Sequence, residues 1–160
     1  MNQDFTVRRA RIEDADKIHR VHMRAIRILG RSAYSKREVE SWAYGQTDSF
    51  YKDAIENLDH FEVAEDTKRS IVAFAATRRN EVCLLYTDPD WVRRGVGSTL
   101  LQRAERHLFD SGHETIWVQS SLNAQSFYAG NDYAVGEVVD YKSRGGIVVK
   151  AINMTKILAH

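Results

Sequence analysis

Apolar residues recur along this chain with two different periods, and the period changes near residue 60. In the first part, a helix is predicted over 13–29 after a short strand over 5–10. Its apolar positions fall three or four residues apart and form one stripe: Ile18, Val21, Ala25, Ile28 and Leu29. Glycine is the usual residue just after a helix, so the pattern predicts that Gly30 ends this one.

A second predicted helix begins at Ser35, because Ser35 and Glu38 have the spacing of a capping box and apolar residues follow them. A third helical segment is predicted over 49–57. Two helices therefore come early in the chain, with a third short one before the period changes.

From residue 60 the pattern is typical of strands. Strands are predicted over 61–64, 70–77, 81–86, 115–119, 133–139 and 146–154, with helices from 96 to a stop at Gly112 and over 123–129. Arg79-Asn80 is a turn signal that makes the second and third of these strands an antiparallel hairpin. The order indicates an α/β (α+β) fold in one domain over 1–160, with a mixed, largely antiparallel central sheet flanked by helices.

Composition and charge exclude several classes of protein. The chain has 23 Lys and Arg against 22 Asp and Glu, which fits neither a disordered tail nor a polybasic nucleic-acid binder. A single cysteine, Cys83, excludes an intramolecular disulfide framework and a cysteine-cage zinc site. His19 and His22 lack the spacing of a metal-binding pair, so no metal site is expected and both are predicted at the edge of the core. No apolar run is long enough to span a membrane and no signal peptide is visible, so a cytoplasmic location is expected.

The segment after the strand at 81–86 carries the most chemistry. The lone proline, Pro89, ends that strand, and a Gly-x-Gly at Gly95 and Gly97 then opens a helix. The free N–H groups of a helix N-terminus favour phosphate, and Arg93 and Arg94 would add charge-assisted hydrogen bonds. The spacing matches neither the P-loop nor the dinucleotide fingerprint. The favoured interpretation of this segment is a diphosphate-binding site, and the alternative is a plain strand-to-helix turn.

This segment resembles the acyl-CoA signature of the GNAT superfamily of N-acetyltransferases, Gln/Arg-x-x-Gly-x-Gly/Ala. A second motif of that family, Asn followed by Phe-Tyr, resembles Asn123 with Phe127-Tyr128. The first helix and strand match as well, so the resemblance covers nearly the whole chain. Val92 departs from the Gln/Arg position, and Asp132 departs from a Gly that usually precedes an aromatic residue.

The resemblance implies acetyl-CoA as the acyl donor, bound mostly by main chain. The central strand would pair with the pantetheine arm, and N–H groups around the glycines would hold the diphosphate. The residues implied in donor binding are Leu85, Tyr86, Thr87, Arg93, Arg94, Gly95, Val96, Gly97, Ser98, Asn123 and Ser126.

The resemblance also implies direct acetyl transfer to a primary amine, without an acyl-enzyme. Glu81, 14 residues before Gly95, matches the family's general base and could act through water; a solvated strand-end carboxylate is the alternative. The backbone N–H of Tyr86 is expected to polarise the thioester carbonyl. Tyr128 matches the donor of a proton to the leaving thiolate, and an aromatic packing role is the alternative.

The sequence is compatible with more than one acceptor and with other functions. The acceptor is expected to be a small-molecule or peptide amine, in a pocket to which Trp42 and Tyr44 could contribute. A non-catalytic acyl-CoA-binding regulatory module on the same fold is the alternative that Val92 and Asp132 suggest. A basic stripe on the first helix could bind RNA, although a solvated face is favoured: Lys17, Arg20, Arg24, Arg27 and Arg31. No nucleic-acid or membrane partner is expected, and a homodimer is left open.

Overall fold

The computed structural model describes residues 4–158, which form seven strands and five α-helices. The strands are Phe5–Arg9 (β1), His60–Asp66 (β2), Ile71–Arg78 (β3), Glu81–Thr87 (β4), Thr115–Ser121 (β5), Ala134–Lys142 (β6) and Val148–Ile157 (β7). The helices are Ala15–Arg24 (α1), Lys36–Ala43 (α2), Asp48–Asn57 (α3), Val96–Asp110 (α4) and Gln125–Ala129 (α5). Each predicted element is present, with ends shifted by a few residues.

All seven strands form one sheet in the order β1-β2-β3-β4-β5-β7-β6. Every neighbouring pair is antiparallel except β4 and β5, which are parallel. The prediction of a mixed, largely antiparallel sheet is therefore confirmed. The β3–β4 hairpin turns at Arg79-Asn80 as predicted, with Arg79 at φ 56°.

Helices cover both faces of the β2–β4 region. On one face, α1 and α3 bury Ile18, Val21 and Tyr51 against strand residues such as Phe74. On the other face, α4 packs a row of apolar residues onto the same strands: Val96, Leu100 and Leu101. Because β3 is covered on both sides, its residues are buried from Ile71–Thr77 without alternation. No helix of the described chain is long and apolar enough to cross a membrane.

The first helix does not end as predicted. After α1, the chain makes a π-helical turn over Ala25–Leu29 and a 3-10 turn over Gly30–Ser32. The extra residue of the π turn rotates the helix surface, so Ile26 is 1% exposed while Ile28 is 53% exposed. Gly30 has φ −66° and packs under α2, so it is not a left-handed helix cap.

The second helix begins as predicted. The backbone N–H of Glu38 donates to Ser35 Oγ at 3.1 Å, and the N–H of Ser35 donates to the Glu38 carboxylate at 2.9 Å. Both contacts satisfy donors that a helix N-terminus would otherwise leave free.

His22 of α1 lies in the core instead of at its edge, whereas His19 is half-buried at the edge as predicted, and both rings contact Tyr51 of α3. His22 is 2% exposed, and its Nδ1 lies 2.8 Å from the hydroxyl of Tyr51. The ring of His19 packs on the same tyrosine at 5.4 Å between centroids. Among residues 4–158, no three His, Cys, Asp or Glu side chains are grouped so that they could hold a metal ion.

Part of the basic stripe of α1 is engaged within the molecule. Arg24 donates to Asp88, the residue before Pro89, at 2.9 Å. Arg27 pairs with Glu40 of α2 at 3.1 Å. The stripe therefore helps to fix α1 against the loop after β4 and against α2.

Candidate functional site

Over residues 4–158, the sheet opens between β4 and β5, the one parallel pair of neighbouring strands. Glu81 and Trp117 are the single pair of residues in register between β4 and β5, and the two strands separate beyond it. The N–H of Asp88 donates to Val72 at 2.8 Å, so alternate residues of β4 point their backbone groups toward β3. Leu85 and Thr87 therefore present N–H and C=O groups to the opening.

The same alternation corrects the expected role of the Tyr86 backbone. Tyr86 is in register with Phe74 and lies two residues before Asp88. Residues two apart in a strand direct their backbone groups to the same side, so the N–H of Tyr86 is directed to β3. The N–H groups that face the opening belong to Leu85 and Thr87. The sequence could not show this, because a bulge at Cys83 shifts the register within β4.

The loop that leads into α4 has an unusual backbone. Arg93 has φ 64° and Gly95 has φ 85°, so the chain takes the left-handed conformation twice within three residues. Such an alternation turns successive N–H groups toward one side and forms a concavity that suits an anion. α4 starts directly afterwards at Val96, which adds the free N–H groups of its first turn.

A cavity of about 470 Å³ lies beside this loop and is called the α4 cavity below. The predicted donor-binding and catalytic residues that line it are Leu85, Tyr86, Thr87, Arg93, Gly95, Gly97, Ser98, Asn123 and Tyr128. Three predicted donor-binding residues do not line it. Val96 is 1% exposed in the core, the Arg94 guanidinium stacks on Trp91 at 4.3 Å, and Ser126 is exposed.

Two polar side chains of the α4 cavity are placed to contact a ligand. Asn123 Oδ1 is buried and accepts no hydrogen bond from a described residue. Tyr128 is 7% exposed and lines the same cavity. Burial raises the pKa of its hydroxyl, so it keeps its proton at neutral pH. Both groups can therefore bind a polar ligand.

A second cavity, of about 490 Å³, lies on the side of the sheet covered by α3 and is called the α3 cavity. Glu81 lines it, with a side chain 13% exposed and a carboxylate 3.3 Å from the Arg78 guanidinium. Trp42 also lines it, whereas Tyr44 is 68% exposed and lies outside. The two cavities meet where they share wall residues: Trp42, Tyr86 and Ser121.

Sequence reasoning missed His22 as a residue of this site. It lines the α3 cavity, its ring lies 4.2 Å from that of Tyr86, and its buried Nε2 has no partner among the described residues. Burial, with a smaller contribution from His19, lowers the pKa of His22 to about 3, so the ring is neutral. Cys83 also lines this cavity, and burial raises the pKa of its thiol to about 11, which disfavours a nucleophilic role.

The turn after α5 shows how one departure from the family motif is accommodated. Asp132 has φ 72°, the left-handed conformation that glycine adopts most easily and that Asp also tolerates. Tyr133, predicted in β6, lies before that strand and donates from its hydroxyl to Glu105 at 2.8 Å.

Comparisons with known proteins agree with this geometry. A family model described as "Acetyltransferase (GNAT) domain" matches residues 31–158. A GCN5-related N-acetyltransferase from Rhodopseudomonas palustris superposes with a TM-score of 0.90 at 25% identity, covering 96% of this chain and 95% of that one. PaiA N-acetyltransferase from Thermoplasma acidophilum, solved with coenzyme A, gives 0.76 at 22% identity, covering 99% and 100%.

A third similar fold is the ribosomal-protein-S18-alanine N-acetyltransferase of Escherichia coli, with a TM-score of 0.68 at 18% identity, covering 98% of this chain and 95% of that one. A search of curated proteins gave no match. The family match covers most of the chain and includes the opening, the loop and most of the residues that line both cavities. This chain belongs to the GNAT acetyltransferase family.

Proposed function

We propose that this protein transfers an acetyl group from acetyl-CoA directly to a primary amine. The observation that carries the proposal is the junction of two cavities at Tyr86, beside backbone of β4 that is not paired with β5 within residues 4–158. A reaction between two substrates needs such a shared boundary, because the reacting atoms must meet while each substrate is held separately.

The residues of the α4 cavity fit the donor. Leu85 and Thr87 would pair with the amide groups of the pantetheine arm as a neighbouring strand would. The N–H groups of the loop from Arg93 to Ser98 would bind the diphosphate, with the Arg93 guanidinium adding charge. Asn123 Oδ1 would accept a hydrogen bond from the arm. Acetyl-CoA, when bound, supplies a thioester carbonyl for attack and a thiolate as leaving group.

Glu81 is proposed as the general base. An alkylamine has a pKa near about 10, so a group of the protein must take its proton before attack at neutral pH. Glu81 lines the α3 cavity and lies where β4 and β5 begin to separate, which is the innermost point of the opening. A carboxylate in this place can accept the proton directly or through one water molecule.

Two further groups would act on the thioester. The N–H groups of Leu85 and Thr87 face the opening, so one of them is available to stabilise negative charge on the carbonyl oxygen. Tyr128 keeps its proton and lines the α4 cavity, so its hydroxyl can protonate the departing thiolate. A thiolate with a pKa of about 8.5 leaves readily, so this help is expected to be modest.

Calorimetry with acetyl-CoA, followed by a thiol-release assay with a panel of primary amines, tests the proposal. We expect binding at micromolar to submillimolar concentration and amine-dependent release of coenzyme A. Absence of binding at submillimolar concentration would contradict acetyl-CoA as the donor. Binding without release for any amine would instead support the non-catalytic regulatory module.

A further inference from the structure

The turn between β6 and β7 places an arginine on the wall of the α3 cavity. Arg144 lines this cavity, and its guanidinium carbon lies 4.7 Å from the centre of the Phe50 ring of α3. Its Cδ lies 3.3 Å from the point that a Cβ on Gly45 would occupy. Two segments distant in sequence therefore hold the side chain in place, with the guanidinium stacked on an aromatic face.

The turn that carries Arg144 is itself fixed to α2. Ser41 Oγ and Ser143 Oγ lie 2.6 Å apart, and the N–H of Gly145 donates to the Ser41 carbonyl at 3.0 Å. A Cβ on Gly145 would lie 2.5 Å from Ser41 Oγ, so only glycine allows this approach. The position of Arg144 relative to the cavity is thus built into the fold.

The Arg144 charge is not used within the described part of the chain. Arg78 is paired with Glu81, and Lys150 is paired with Asp140, but Arg144 forms no ion pair with any carboxylate of residues 4–158. Gln46, which follows Gly45, also lines the cavity, and its Oε1 is buried without a described partner. An unpaired guanidinium on the wall of a cavity can bind an anionic group, whereas Gln46 Oε1 is an acceptor and is available to an N–H or O–H of the bound molecule.

We infer that the amine acceptor carries a free carboxylate, which binds Arg144 while its amine faces Glu81. This inference rests on the proposed acetyl transfer. A single guanidinium matches the planar, singly charged carboxylate better than a phosphate dianion. The cavity of about 490 Å³ also has an aromatic wall that includes Trp42, Phe50 and Tyr86. The acceptor class is therefore an amino acid or short peptide with an apolar side chain.

Steady-state kinetics with L-phenylalanine and L-phenylalaninamide, compared at equal concentrations of the neutral amine, test the carboxylate contact. The two acceptors differ in structure only at that group, and the comparison corrects for its effect on the pKa of the amine. We expect a lower KM for the acid with the native protein. Arg144→Gln should raise the KM for L-phenylalanine about 10- to 100-fold. The KM values for L-phenylalaninamide and for acetyl-CoA should not change. Arg144→Lys keeps the charge but loses the planar fork, so it should recover only part of the affinity.

Two variants separate binding from folding. Arg37→Gln removes an exposed arginine of α2 that lies outside both cavities, and its kinetics should match the native protein. Gly145→Ala should displace the turn and raise the KM for L-phenylalanine while leaving that for acetyl-CoA unchanged. Equal KM values for the two amines with the native protein, or an equal loss for both in Arg144→Gln, would overturn the inference.

The inference and the proposed function fail in different ways. If none of the amines tested leads to release of coenzyme A, this result contradicts only the proposed acetyl transfer. Titration of the coenzyme A-bound protein with N-acetyl-L-phenylalanine then still tests the contact: binding that Arg144→Gln abolishes supports it, and binding that the variant retains contradicts it.

Discussion

The Tyr128 side chain is 7% exposed and lines the α4 cavity beside its junction with the α3 cavity. We expect Tyr128→Phe to lower kcat about tenfold, because a good leaving group needs little protonation, and to change the KM for acetyl-CoA less than twofold. Stopped-flow measurement of thiol release checks this. Tyr133→Phe, which removes a buried hydroxyl outside both cavities, is the control. If both variants slow transfer equally, the role of Tyr128 is packing.

Glu81 can be tested by its effect on the pH profile. Glu81→Gln keeps the size of the side chain but cannot take a proton, so kcat/KM at neutral pH should fall about 100-fold. The loss should shrink as pH approaches the amine pKa, where the acceptor is already neutral. Affinity for acetyl-CoA by calorimetry should not change. A pH profile identical to that of the native protein would remove Glu81 from the role of base.

His22 couples stability to pH. Its pKa is about 3 in the folded protein against an ordinary value near 6.5, so the unfolded chain binds a proton that the folded one does not. The free energy of unfolding should therefore fall by about 1.4 kcal/mol per pH unit from pH 6 toward pH 4. Urea unfolding at pH 7 and pH 5 measures it.

His22→Asn places an amide near the Nδ1 position and has no titrating ring, so its stability should depend less on pH over this range. Burial also lowers the pKa of His60, so the His22→Asn variant should keep a smaller dependence of stability on pH. His113→Asn, in the turn after α4, serves as the control. A slope as steep in His22→Asn as in the native protein would contradict the prediction.

Residues of the site differ in how far the sequence identifies them. The glycines at 95 and 97 lie within one short motif, so their spacing alone predicted the turn into α4. His22 and Arg144 reach the α3 cavity from segments more than 100 residues apart, and neither belongs to a local pattern. Only packing of α1, α3 and the β6–β7 turn brings them together.

At the scale of elements, α1 shows what periodicity misses. Ile28 has the spacing expected of a buried position, yet it is exposed because the π turn over Ala25–Leu29 adds one residue to the helical repeat. Nothing in the local sequence marks that turn. By contrast, Ser35 with Glu38 and the turn at Arg79-Asn80 were predicted correctly, since both are determined by neighbouring residues.

The first turn of α4 offers a test of donor binding. A Cβ on Gly97 would lie 3.3 Å from Thr87 Oγ1 and 3.5 Å from the Phe127 ring, on the wall of the α4 cavity. Gly97→Ala should weaken acetyl-CoA binding about tenfold, or roughly 1.4 kcal/mol, by calorimetry. Stability should not fall, because alanine favours the helix. Thr99→Ala, in the same turn but outside the cavity, is the control; unchanged affinity in Gly97→Ala would contradict a donor site here.

For the whole molecule, the class and order of elements could be predicted, but the sheet order could not. The patterns give each strand separately, whereas the insertion of β7 between β5 and β6 depends on contacts between distant segments. The opening between β4 and β5 is likewise a property of the assembled sheet. The family resemblance supplied the expectation of an opening, and the residues alone did not.

The opening has a consequence for how the molecule resists unfolding. β1 to β4 form one hydrogen-bonded unit, and β5, β7 and β6 form another. A pantetheine arm bound in the gap would therefore connect the two halves of the sheet. Saturating coenzyme A should raise Tm by about 5–10 °C. It should also slow hydrogen exchange in β5, which adenosine 3′,5′-diphosphate, reaching only the loop before α4, should leave unchanged. Equal protection of β5 by both ligands would contradict this connecting role of the pantetheine arm. Protection by coenzyme A alone would make substrate supply a determinant of the protein's lifetime.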